Sequence, residues 1–240
     1  MMTSDSYFDS YASLYDQLQP VLIENYRTYH SLALDFVPGD SGSGLRILDL
    51  GCGTGTFLNS VFMARPGSTA LALDYSQEML DRAAEKPSLR QPDVEFVQRD
   101  LNDGLPTDIG KFDLVLAFSA IHHLGTAAKK SLIQQVFDSL VPGGWFFLVD
   151  AMVDQFDDDV FAMGRGRELR LRSERIDASS HPSEVFDKFD EIKGRLAEGS
   201  PERDRIASVQ NHVGWMEGAG FTSIDHIWHH WFEHFFIARR

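Results

Sequence analysis

The stretch Ile47-Leu48-Asp49-Leu50-Gly51-Cys52-Gly53-Thr54-Gly55-Thr56 leaves few folds open. An apolar run ends on an acid, three glycines alternate with small residues, and the apolar-patterned segment Phe57-Leu58-Asn59-Ser60-Val61-Phe62 follows. A short buried strand here places Asp49 near its carboxyl end. The glycines permit a tight turn with positive φ and let another molecule approach the backbone. The helix after the turn aims its free N–H groups into that space. The pattern predicts a nucleotide-type pocket at the carboxyl edge of a sheet, although a plain glycine turn fits these residues taken alone.

Spacing narrows the ligand. A dinucleotide fingerprint needs Gly-x-Gly-x-x-Gly, and here Thr56 stands at the fingerprint position after Gly55. No Gly-Lys-Ser/Thr occurs, which excludes a P-loop. The 240 residues suffice for one large α/β domain, and 43% hydrophobic with 24% charged residues is ordinary for a soluble globular chain. With 36 acidic against 22 basic residues the formal charge is −14, a surface that repels polyanions and acidic membranes. Nucleic acid and membrane are therefore not expected partners, and a small-molecule substrate is. Cys52 is the only cysteine, so neither a disulfide framework nor a cysteine zinc site is expected. The start, Met1 to Tyr7, lacks the features of a signal peptide. A cytoplasmic location is the simplest expectation; the oligomeric state is not readable.

Residues 7–37 carry aromatic and apolar positions at spacings of three and four, which predicts amphipathic helices separated at Pro20. Ala70-Leu71-Ala72-Leu73-Asp74 is a second short apolar run ending on an acid. Asp74 lies 25 residues beyond Asp49, close to the ~20-residue offset at which an acid meets a ribose in related folds. Ser76 then caps a helix. Val94 to Asp100 alternates as a third strand, and Phe112 to Phe118 reads as a strand buried on both faces. Its exit, Ser119 to Leu124, carries His122 and His123, the only titratable residues at that edge and so the candidates for a general base; the alternative is that one ring packs against cofactor or backbone. A helix over 129–140, the turn Val141-Pro142-Gly143-Gly144 and a fifth strand Trp145 to Asp150 follow.

Residues 151–206 change character, with Asp157-Asp158-Asp159, an arginine-rich run from Arg165 to Arg175, and Pro182 and Pro201 breaking two helices. The arginines suit a solvated helix face, or an acidic substrate. A last helix over 210–218 and a hairpin of 224–231 with 234–238 close the chain. In that hairpin strict alternation puts His226 and His230 on one face and His229 on the other. With His234 and interleaved aromatics they read as sheet packing, and no metal site is expected.

The form Asp49-x-Gly51-x-Gly53-x-Gly55 resembles the first motif of class I S-adenosylmethionine (SAM) methyltransferases. Asp74-Tyr75-Ser76-x-x-Met79-Leu80 resembles the second, and Asp100-Leu101 and Pro142-Gly143-Gly144 fall where that family has its later signatures. The resemblance covers residues 45–150 well and the ends loosely. It implies a Rossmann-like α/β fold: a seven-stranded, mostly parallel sheet, helices on both faces and an antiparallel last strand. It implies SAM as cofactor, with Asp49, Gly51, Cys52, Gly53 and Gly55 around the methionine half. Asp74 would lie at the ribose, with Tyr75 and Met79 of the second motif also binding the cofactor, Asp100 and Leu101 at adenine, and Phe118 at the exit of the fourth strand. Asp9 to Asp16 resembles the family's N-terminal lid, which brings Tyr15 over the cofactor. The chain is thus expected to be a single domain of residues 1–240, with 1–44 a helical lid and 151–206 a helical insertion over the substrate side. The implied activity is methyl transfer to O, N or C of a small organic molecule. The alternatives are a SAM-binding protein that does not methylate, of cyclase or isomerase type, a user of carboxy-SAM, or a non-catalytic subunit. Trp215 stands where the carboxy-SAM branch has an arginine, against that cofactor.

Overall fold

The computed structural model describes residues 12–40, 42–153, 158–180, 186–187, 190 and 204–240. Asp9 to Tyr11 of the lid motif, Asp157, Pro182 and Pro201 lie outside the described residues. Among the described residues eight strands form: β1 Arg46–Leu50, β2 Thr69–Asp74, β3 Val94–Gln98, β4 Phe112–Phe118, β5 Leu140–Val153, the two-residue β6 Ala207–Ser208, β7 Ser223–His230 and β8 Glu233–Arg239. The main path runs β3-β2-β1-β4-β5-β8-β7, with β6 paired to β5 beside it. Strands β1 to β5 run parallel to one another, and β8 is antiparallel to both β5 and β7. The order reverses between β1 and β4, the switch point at which open α/β sheets bind ligands.

Side chains of β1 and β4 explain why the sheet is covered on both faces. Leu48, Val115 and Ala117 point into one core, with α5 (Thr126–Ser139) and α7 (Val209–Ala219) over it. Ile47, Leu114 and Leu116 point into the other, beneath α2 (Tyr26–Asp35) and α3 (Thr56–Ala64). Each fully buried Leu, Ile or Val contributes about 1.5–3 kcal/mol, so a near-continuous apolar run is stable only in a sheet sandwiched this way. A third, smaller cluster joins α1 (Tyr15–Leu22) to Met79 of α4 (Gln77–Glu85) through Leu18 and Leu22.

Four local expectations change. Pro20 lies inside α1 and does not end it; the break falls at Asn25, which takes φ 64° as the cap of α2. The Pro142-Gly143-Gly144 turn is drawn into β5, whose first residue is Leu140, because the segment pairs with the chain end: Gly143 N–H donates to Arg240 O at 3.0 Å. The arginine-rich run forms α6 (Asp158–Asp177), and Arg167 and Arg175 in it are not simply solvated. Arg167 donates to Glu24 Oε2 at 3.0 Å, and Arg175 donates to Val21 O and Leu22 O at 2.8 and 3.0 Å, so they dock α6 on the N-terminal helices. Finally, the register of β7 shifts between His226 and Trp228, leaving Ile227 as an extra residue. A bulge reverses the alternation beyond it, so His229 joins His226 and His234 on one face instead of opposing His226, and His234 Nδ1 lies 3.1 Å from His226 Nε2.

Candidate functional site

Asp49 and Asp74 occupy the ends of β1 and β2, and Asp100 follows β3, so three acids stand at the carboxyl edge of three adjacent strands. The glycine loop is tied to β2. Leu73 O accepts from Gly51 N–H at 2.8 Å and Cys52 N–H at 2.9 Å, and Asp74 Oδ2 accepts from Gly53 N–H at 2.7 Å. Asp74 Oδ1 accepts from Ser76 N–H at 2.9 Å, which sets the entry to α4, where Ser76 Oγ caps Met79 N–H. The loop needs its glycines for different reasons. Gly51 has φ 68°, and a Cβ there would run into Ala120 at the exit of β4. Gly55 has φ 69°, and its Cβ would meet Leu89 at 2.7 Å and Ala83 at 3.0 Å, so it lets α3 start against the next layer. Asp100 caps the 3₁₀ turn Leu101–Asp103 by accepting Asn102 N–H at 2.8 Å.

Around these groups lies an open cleft, about 1200 Å³ with the open solvent at its mouth included. Asp49, Gly51, Cys52 and Gly53 form its floor; Asp74, Tyr75 and Met79 line it from β2 and α4; Asp100 and Leu101 line it from β3. Tyr15, Phe118 and His123 complete the residues anticipated from sequence. Two anticipated residues are not in the lining. Gly55 is occupied with packing, and His122 is turned toward Asp150, whose carboxylate is hydrogen-bonded to its Nδ1.

Several lining residues were not anticipated. Tyr26 and His30 are four apart on α2, with ring centroids 4.2 Å apart, and His30 meets Phe57 and Phe118 edge-on. Phe57 and Phe118 stack at 4.1 Å. The i, i+4 spacing of Tyr26 and His30 was the available signal. Thr54 and Thr56 also line the cleft, and both hydroxyls bond to Asp16 of α1, Thr56 at 2.9 Å. Asp16 additionally accepts from Lys86 Nζ. Thr56, which excludes the dinucleotide fingerprint, thus fastens α1 to the glycine loop. Tyr15 follows from this, its Cε1 3.9 Å from where a Cβ on Gly53 would be. Ser119, at the exit of β4, holds φ 51°, a conformation non-glycine residues adopt at a cost and that recurs at functional sites.

Burial, and then the Asp74 charge, push the Asp49 pKa up to about 8. Burial lowers the His30 pKa to about 4, so its ring is neutral among the aromatics. Burial and the neighbouring acids push the Cys52 thiol well above its ordinary value, which makes it a poor nucleophile. Although burial resists it, Lys86 and the two threonines hold the Asp16 carboxyl below its usual range. His122 and Asp150 are also shifted apart in spite of burial, each favouring the charged form of the other. His123, the neighbour of His122, faces the cleft.

A methyltransferase-domain family profile matches residues 47–144. An uncharacterized methyltransferase of Synechocystis sp. is 34% identical over 138 residues, covering 58% of this chain and 61% of that protein. A demethylmenaquinone methyltransferase of Clavibacter sepedonicus is 26% identical over 220 residues, covering 91% of this chain and 82% of that one. Across the first relatives matched, the chain spans about three fifths of their length. An O-methyltransferase family protein of Burkholderia thailandensis superposes with a TM-score of 0.64 at 17% identity, over 98% of this chain and 59% of that chain. This last likeness is one of fold.

Proposed function

We propose that this chain, whose residues 47–144 match a methyltransferase-domain profile, is a class I SAM-dependent methyltransferase that transfers a methyl group from SAM to O, N or C of a small organic molecule. One observation carries the reading: three acids at three adjacent strand ends share a single cleft with a glycine loop whose three glycines all hold positive φ. That donor set suits an adenosine joined to an amino acid. Asp100 and the Leu101 backbone would hold adenine, Asp74 the ribose, and Asp49 with Gly51 to Gly53 the methionine portion, flanked by Tyr75, Met79, Phe118 and Tyr15. SAM supplies a methyl group already activated on a sulfonium. The protein's part is to position, to exclude water and, for a protonated acceptor, to take a proton.

The acceptor end would lie along Tyr26, His30, Phe57 and Phe118, a neutral aromatic wall that favours a flat, weakly polar ligand over a polyanion. His123 is the one of the two histidines placed to contact an acceptor, and His122 holds the turn beneath it. We assign residues 12–35 as the described part of a lid, supported by the Asp16 latch on the glycine loop. The helical insertion, docked on that lid by Arg167 and Arg175, would close the substrate side. A cytoplasmic setting agrees with the single cysteine. Among the described residues no helix is long and apolar enough to cross a membrane.

Incubation with SAM and a panel of small metabolites tests the reaction, through release of S-adenosylhomocysteine. Binding without release in any condition would favour a SAM-binding protein that does not methylate. For the cofactor, Asp74→Ala should weaken S-adenosylhomocysteine affinity at least tenfold by calorimetry, since two ribose hydroxyls lose a charged acceptor worth ~1.5–3 kcal/mol. Unchanged affinity would remove the ribose assignment.

A further inference from the structure

We propose that His122 Nε2, His123 Nδ1 and the Asp204 carboxylate form a binding site for one first-row divalent transition-metal ion at the rim of the cleft. The three groups come from two distant segments, the 3₁₀ turn Ile121–His123 after β4 and the approach to β6. Asp204 Oδ1 lies 3.6 Å from His122 Nε2 and 3.6 Å from His123 Nδ1, and the three ligand atoms lie within 4.8 Å of one another. At 3.6 Å neither nitrogen is hydrogen-bonded to the carboxylate. The spacing instead suits ligands of a shared ion, because two donors each ~2.1 Å from a metal stand about 3.0–3.6 Å apart. A small inward movement of the two rings completes the set.

Three further observations show that the site is built. Asp150, fully buried, is hydrogen-bonded to His122 Nδ1. A metal-bound histidine commonly has such a carboxylate on its second nitrogen, which fixes the tautomer and leaves the Nε2 lone pair outward. The two segments are stapled to one another. Arg205 N–H donates to His122 O at 2.7 Å, and the buried Lys129 ammonium bridges Leu124 O at 2.6 Å and Arg205 O. The adjacent residues therefore hold Asp204 opposite the histidines whether or not an ion is bound. Carboxylates also face His122 on two sides, Asp150 at Nδ1 and Asp204 at Nε2. Two imidazoles and one carboxylate favour Zn²⁺, Co²⁺, Fe²⁺ or Mn²⁺ over Mg²⁺ and Ca²⁺, which want oxygen donors. His123 also lines the cleft, so free coordination positions would open toward it. With an ion bound, the His123 ring is a ligand and no longer a base.

The proposal stands apart from methyl transfer and is tested without cofactor or acceptor. The full chain, stripped with chelator, is titrated with Co²⁺, read by visible absorption, and with Zn²⁺ by competition. One ion per chain is expected, with no displacement by millimolar-range Mg²⁺. Asp204 is half exposed, so Asp204→Asn should fold normally and weaken Co²⁺ binding tenfold or more, as should His123→Ala. Asp150→Asn should weaken it about 10–100-fold through the orientation of His122. Circular dichroism checks that each variant is folded. The His226→Ala/His229→Ala double variant is expected to leave binding unchanged, because those rings belong to the separate β7–β8 cluster. Absence of Co²⁺ binding overturns the proposal, as does binding that survives Asp204→Asn combined with His123→Ala or that disappears in the β7 double variant.

Discussion

Asp49 shows how one residue can be legible in identity and illegible in energetics. Its place at the end of an apolar run before three glycines marks it as a site acid. That it is only 4% exposed and has Asp74 as a neighbour can be seen only once the sheet is assembled. An unfolded Asp titrates near ~3.9, while burial and then Asp74 raise the folded value to about 8. Between those values the folded chain keeps a proton that the unfolded chain releases, so this group makes stability fall as pH rises through the window. The slope is at most about 1.4 kcal/mol per pH unit. Asn has nearly the same shape as the protonated acid and cannot ionise. Asp49→Asn should therefore lose less stability than the parent chain between pH ~5 and ~8, measured by denaturant midpoints, and gain on it most at the alkaline end. Parallel pH profiles for the two proteins would mean that Asp49 is ionised in the folded state.

At the scale of elements, α1 is the segment whose attachment matters most and whose sequence says least about it. Its latch on the glycine loop is Asp16, joined to Thr54, Thr56 and Lys86. The Asp16 side chain is 43% exposed and Lys86 19%, so the ion pair itself contributes no more than ~1 kcal/mol. Its loss should hardly move the global unfolding midpoint. It should, however, free the local opening of α1, which is governed by few contacts. Asp16→Ala is expected to speed proteolytic cleavage between residues 15 and 35 and to raise the dissociation rate of S-adenosylhomocysteine several-fold. An unchanged dissociation rate would show that α1 is not a cover for the bound ligand. The periodicity of residues 15–35 indicated helices, and the glycine loop and the three strand-end acids could be read directly, because each depends on neighbours in the chain. The Asp16 to Thr56 bond spans 40 residues, Arg167 to Glu24 spans 143, and Asp204 meets His122 only through the stapling by Lys129 and Arg205. Such partners leave no local signature. The bulge at Ile227 failed for another reason: a single unpaired residue reverses every later side chain without changing the composition that predicts the strand.

For the whole molecule, the path β3-β2-β1-β4-β5-β8-β7 gathers the acids and the glycine loop at one edge, and the same arrangement concentrates like charge. Of 36 acidic residues, 14 have no basic counterpart in the total. Salt acts on this surplus in two opposing ways. It screens the ion pairs that tie elements together, such as Asp16 with Lys86 and Arg167 with Glu24, each worth ~0–1 kcal/mol where solvent reaches it. It also screens repulsion across the whole acidic surface, which extends over ~30 Å at 0.01 M ionic strength and only ~8 Å at 0.15 M. The pairs act over a few ångströms and are least affected in that range, whereas the long-range repulsion is mostly removed. Repulsion should therefore dominate the balance, and the midpoint of thermal unfolding should rise between ~0.01 and ~0.15 M NaCl. For a chain of this size each kcal/mol corresponds to about 2–4 °C, so a rise of a few degrees is expected. Sulfate at equal ionic strength would confuse the reading, since it strengthens burial by itself, and the comparison is made with chloride alone. A fall in the midpoint would mean that the interelement ion pairs, above all those holding α6 to the N-terminal helices, carry more of the stability than their exposure implies.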